Sequence, residues 1–135
     1  MKEKNTNFDP IPDETEKVTK VVVDAAYRVH SQLGPGLLES VYETCLCHEL
    51  KQRGVPFQSQ VAWPVIYDGV RLDAGLRLDL LVDNSVIVEI KAVEKMNPLF
   101  EAQLLTYLKL TGHRLGLLIN FNVSRIADGI RRIVK

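Results

Sequence analysis

The stretch from Leu76 to Lys91 leaves this chain few ways to fold. From Leu76 to Val82 every even-numbered residue is apolar, and so are Val86, Val88 and Ile90. A period of two marks a strand with one buried face, so two strands flank the turn residues Asp83-Asn84-Ser85. Their apolar faces must coincide, because a slip of one residue turns a strand's whole set over. A two-residue loop puts the faces out of phase, whereas a loop of Asp83 to Ser85 sets Val82 opposite Val86. Counting back, Asp79 falls opposite Glu89 and Arg77 opposite Lys91. Hydrophobic patterning alone thus predicts an Asp, a Glu and a Lys clustered on one polar face.

Directly opposed Cβ atoms lie ~5 Å apart, and two carboxylates that close repel each other. The arrangement is costly unless positive charge sits between them. Lys91 supplies part of that charge and a divalent cation supplies more; ligands that are all oxygen suit Mg²⁺ or Mn²⁺. A solvated face with a structural ion pair gives the same spacing, so spacing alone leaves both readings open. Gln103 and Tyr107 are i and i+4 and share a helical face beside the second of these strands. A Gln and a Tyr there can orient a water or a phosphate. Glu39, Tyr42 and Glu43 belong to an earlier helix, and Glu39 lies in its first turn, where a carboxylate also favours the helix dipole. His30 reads as a partly buried structural histidine. The chain has no glycine-rich phosphate loop, no serine nucleophile elbow and no Cys/His pair of recognisable spacing.

The rest of the chain builds a setting for these strands. Residues 1–12, with Pro10 and Pro12, read as a loose, flexible N-terminal arm, and residues 13–135 as a single domain. Asp13 and Glu16 form a capping box with Asp13 as N-cap, opening a helix whose apolar residues run from Val18 to Val29 and which stops at Leu33-Gly34-Pro35-Gly36. A second helix starts near Leu37, with Leu38, Val41, Cys45, Leu46 and Leu50 as its apolar positions and Gly54 after its end. The segments 55–67 and 70–82 meet at Asp68-Gly69, a strong hairpin dipeptide, and residues 86–92 form a third strand. Asn97-Pro98 starts a helix that ends at Gly112. Residues 115–120 are a nearly all-apolar strand, buried on both faces. Ser124 caps a last amphipathic helix through Ile126, Ile130 and Ile133. The expected fold is α/β (α+β), with one mixed four-stranded sheet flanked by helices.

Lys and Arg balance Asp and Glu at 17 each, for a net charge of zero. Such a chain has no strong delocalised attraction to nucleic acid or anionic lipid, and must engage a polyanion through a local patch or a metal. No apolar run approaches the ~20 residues that span a bilayer, and the polar N-terminus lacks the apolar stretch of a secretory signal. Cys45 and Cys47 face different directions on a helix and read as small hydrophobes in a reducing cytoplasm.

The stretch Gly36-Leu37-Leu38-Glu39-Ser40-Val41-Tyr42 reads as a GxxExxY signature, and residues 29–36 and 116–121 resemble the same GxxExxY protein family. That family is similar to the PD-(D/E)xK nuclease superfamily, and the resemblance runs from about Val18 to Val134. It implies a restriction-endonuclease-like αβββαβ core. It implies Asp79 as the metal-binding Asp and Glu89-Ile90-Lys91 as the (D/E)xK element, with Glu89 a metal ligand and Lys91 facing phosphate or the attacking water. Gln103 to Tyr107 looks like the QxxxY element of RecB-like exonucleases, and Glu39 would be an extra acidic ligand. The implied activity is Mg²⁺- or Mn²⁺-dependent hydrolysis of phosphodiester bonds in nucleic acid, DNA ahead of RNA, in the cytoplasm. Leu78 stands before Asp79 where the family motif has Pro.

Two other readings accompany this one. The first is a weak or inactive nuclease-fold module that binds nucleic acid or a protein partner, since a fold does not guarantee activity. The second is an accessory subunit working as a homodimer or within a larger complex, through an exposed strand edge and the N-terminal arm.

Overall fold

The computed structural model describes residues 2–4 and 9–135. In chain order the elements are β1 (Lys2–Lys4), α1 (Asp13–Leu33), α2 (Glu39–Gln52), β2 (Phe57–Tyr67), β3 (Val70–Val82), β4 (Val86–Lys91), α3 (Pro98–Thr111), β5 (Leu115–Asn120), a 3₁₀ turn (Ile126–Gly129) and β6 (Ile130–Val134). The expected αβββαβ run is present as α2 to β5. The strands form one sheet in the order β1-β6-β5-β4-β3-β2. The α3 crossover makes β4 and β5 parallel, β1 is parallel to β6, and the other pairs are antiparallel. Among the described residues no helix is long and apolar enough to cross a membrane.

The sheet has helices on both faces, and each face has its own core. Alternate residues of the central strands, such as Val88, Ile90, Leu117 and Ile119, pack with Val22, Ala26 and Leu46 of α1 and α2. Ile87 and Leu118 pack instead with Leu104 and Leu108 of α3. Double coverage explains why all six residues of β5 are buried. Gly116 lets α3 settle on that strand: a Cβ there would lie 2.8 Å from the Leu104 side chain.

Double coverage also explains why the C-terminal segment is a strand where helical spacing predicted a helix. Ile126, Ile130 and Ile133 do not share a helix face. Ile130 and Val134 join the core under α1 and α2, while Ile133 joins the core under α3. The intervening arginines reach one helix each, Arg132 to Glu16 at 2.8 Å and Arg131 to Glu101 at 3.5 Å. With β6 and the short β1 added at one edge, the sheet has six strands rather than four. The capping box fails for the same reason, because Glu16 is taken by Arg132. Pro12 occupies the N-cap of α1 and Asp13 lies inside the helix.

Residues 2–4 form β1, and the Arg114 guanidinium donates to the carbonyls of Asp9 at 2.6 Å and Pro10 at 3.2 Å. Residues 1 and 5–8 of the N-terminal arm lie outside the described residues.

In α2 the buried side is Tyr42, Leu46 and Leu50. Leu38 and Val41, expected to be apolar contacts, are exposed. Tyr42 sets this phase. It is fully buried, stacked on Phe121 with ring centroids 4.6 Å apart, and its hydroxyl donates to Gly34 O at 2.6 Å. The same hydroxyl accepts from Leu37 N–H at 3.1 Å. Gly34 and Gly36 adopt positive φ, of 70° and 99°, so the chain can wrap around that hydroxyl. The Tyr of the GxxExxY signature thus clamps the α1–α2 turn. Tyr42→Phe should cost about 1–3 kcal/mol, because two backbone groups lose their partner. Urea unfolding should show a lower midpoint with an unchanged slope.

Candidate active site

β3 and β4 keep the register that hydrophobic patterning predicts, but only over Leu80↔Val88, Leu81↔Ile87 and Val82↔Val86. At the next position the ladder opens and carboxylates take the place of backbone carbonyls. Ile90 N–H donates to Asp79 Oδ2 at 2.8 Å, and Asp79 N–H donates to Glu89 Oε2 at 2.9 Å. A local twist accompanies the opening. Leu78 packs in the α3 core and Leu80 in the α1–α2 core, although they are two apart on one strand. Asp79 sits where the strand changes face. Arg77 consequently does not oppose Lys91; it pairs with Ala62 of β2.

The pair is held in a poor dielectric. Glu89 is only 5% exposed. Burial first, and then the Asp79 charge, push its carboxyl up to about 8, against the pull of the Asp79 N–H and the Lys91 cation. Tyr107 of α3 is half-buried, and burial together with Glu89 and Asp79 raises its phenol above the ordinary value. Lys91, at the end of β4, holds its ammonium 4.5 Å from the centre of the Phe100 ring. Its backbone is fixed from β5, since Phe121 N–H donates to Lys91 O at 2.9 Å. Buried Asn120 continues the anchoring: its amide donates to Val93 O at 3.0 Å and accepts from Val93 N–H at 3.1 Å.

Asp79, Glu89, Lys91 and Tyr107 therefore meet at one end of the sheet, between α2 and α3. Gln103 lies one turn before Tyr107, exposed, with no hydrogen bond to the carboxylates among the described residues. Glu39 is also exposed; its charge reaches the cluster through Glu43, one turn on. Glu43 is the residue that sequence reasoning left out of the site. Its carboxyl is raised by burial, lowered by a hydrogen bond from Gln60, and raised again by Asp79 and Glu39, and its own charge reaches Glu89. The signal for it was its i+4 spacing from Glu39. Asn120 was legible too, as a lone amide ending an apolar strand.

Among the described residues no three His, Cys, Asp or Glu side chains converge tightly enough to cage a metal. The donors are nonetheless of the right kind. Mg²⁺ is usually held by one or two carboxylates, with waters and substrate phosphate completing its shell, and two carboxylates fastened to each other's strands fit that requirement.

A family model for the PD-(D/E)XK nuclease superfamily matches residues 16–133, and this chain belongs to that superfamily. Neither the curated proteins nor the solved structures contain a significant match.

The buried glutamate makes stability depend on pH. Glu89 binds its proton more tightly folded than unfolded, so its contribution is complete below about 4.5 and is lost as pH rises through about 8. In the absence of divalent cations, Glu89→Gln should match the wild-type thermal midpoint at pH 5 and exceed it at pH 8.5, as differential scanning calorimetry can show.

Proposed function

We propose that this protein is a divalent-cation-dependent nuclease that hydrolyses phosphodiester bonds of nucleic acid at the Asp79–Glu89–Lys91 cluster. The observation that carries this reading is the opened ladder. Two carboxylates bind each other's strands where a backbone pair would otherwise form, with a lysine two residues on, in a chain of a nuclease superfamily. Such an opening sacrifices sheet hydrogen bonds and concentrates negative charge, a combination that favours a cation.

Asp79 and Glu89 are the carboxylates that would hold Mg²⁺ or Mn²⁺, with Glu39 as the further acidic candidate from α2. The bound cation supplies charge neutralisation at the scissile phosphate and a more acidic water. Lys91 adds a positive charge beside the same phosphate, and its ammonium rests over the Phe100 ring, so it is positioned in advance. Tyr107 presents a phenol that stays protonated, and hence a donor, across the working pH range. Gln103, on the same helical face, is placed to contact the substrate backbone. The sugar chemistry of the substrate enters through none of these groups, so DNA and RNA both belong in the first screen.

Asp79→Ala and Lys91→Ala should each lower Mg²⁺- or Mn²⁺-dependent cleavage by about a hundredfold or more, the usual worth of a preorganised charge at a transition state. Gel assays on single-stranded and duplex DNA and RNA measure this; undiminished cleavage in both variants overturns the proposal. Because the Glu89 carboxyl must lose its proton to bind a cation, wild-type affinity for Mn²⁺ should rise between pH 6 and pH 8 and then level off. Isothermal titration calorimetry at several pH values tests the sign.

A further inference from the structure

β2 contains a residue in an unfavourable backbone conformation with no turn to account for it. Gln60 has φ +52° in the middle of the strand. Left-handed backbone is costly for a residue with a Cβ, and such strain persists where the surroundings impose it, often at working sites. Gln60 lies between Ser59, opposite Leu80, and Val61, opposite Leu78, which sets it beside Asp79 across the β2–β3 ladder. The left-handed residue of β2 thus lies across the ladder from the point where β3 changes face. From there the exposed Gln60 amide donates to Glu43 Oε1 of α2 at 2.8 Å.

Glu43 is well placed to use that bond. It follows Tyr42, whose stacking and two hydrogen bonds fix the phase of α2, so its direction is set by the clamp. It is half-buried, the charges of Asp79 and Glu39 act on it, and its own charge acts on Glu89. These like charges push this carboxylate away from the cluster or toward protonation, and the Gln60 donor opposes both.

We propose that Gln60 is a positioning residue that acts through Glu43, holding that carboxylate turned toward the cation site of Asp79 and Glu89. This rests on the divalent-cation reading of the site. Glu43, rather than the more exposed Glu39, is then the acidic group that α2 contributes. The left-handed φ at Gln60 is what turns this residue away from the regular alternation of β2, and its amide meets α2.

Calorimetric titration of Mn²⁺ into the full chain tests this, with wild type, Gln60→Gly, Glu43→Gln and the double variant, each also melted in the absence of metal. Glycine adopts φ +52° freely, so Gln60→Gly should retain the fold with little change in its metal-free melting midpoint. Its affinity for Mn²⁺ should fall about tenfold, in keeping with the loss of one hydrogen bond to a charged group. Glu43→Gln should fall at least as far, and the double variant should be no weaker than Glu43→Gln, because Gln60 acts only through that carboxylate. Wild-type affinity in Gln60→Gly, or losses that simply add in the double variant, overturn the positioning role and leave the cation site standing. A wild-type protein that takes up no Mn²⁺, with or without an oligonucleotide present, overturns both.

Discussion

The rest of the site depends on a break in one β ladder. Between Asp79 and Glu89 two side-chain carboxylates accept the N–H groups that a regular antiparallel pair would send to carbonyls. Each carboxylate is thereby fixed by the strand opposite its own, so neither can leave without exposing a backbone donor. This is preorganisation at the level of the backbone: two acidic groups are held together by bonds that neither can replace locally. Burial then makes the arrangement electrostatically expensive for Glu89. A compensating positive charge is needed; Lys91 provides one, and a cation is the natural other.

The remainder of the fold keeps that break in place. β5 is buried on both faces and pairs with β4 in parallel as far as Lys91↔Asn120, so the strand carrying Glu89 and Lys91 has a rigid neighbour. Asn120 then captures Val93 and closes the segment after Lys91. On the other side, the Tyr42 clamp sets the rotation of α2 and hence where Glu39 and Glu43 lie. Residues far apart in sequence converge on one site because each strand end is anchored by a different partner.

Much of this was legible in the sequence, for identifiable reasons. The β3–β4 register followed from parity alone and placed Asp79 beside Glu89. Asn97, Pro98 and Gly112 bounded α3, because capping is local chemistry. The failures share a cause. Ile126, Ile130 and Ile133 fit a helical period, yet they serve two different cores of a sheet covered on both faces. Glu16 resembled half of a capping box, yet Arg132, 116 residues away in sequence, claimed it. The parity of β3 hid the change of face at Asp79, since Leu78 and Leu80 are apolar on either side of the sheet. The strain at Gln60 and its bond to Glu43 depend on tertiary context and leave no trace in a residue pattern.

The proposed nuclease requires a divalent cation bound between the strands at the broken ladder. Paramagnetic broadening by Mn²⁺ in amide NMR spectra tests it most directly, because the effect falls steeply with distance from the ion. Substoichiometric Mn²⁺ should first erase the amide signals of Asp79, Ile90 and Lys91, while those of Gly54 and Gly69 persist. Broadening centred elsewhere, or spread evenly over surface carboxylates, would contradict it.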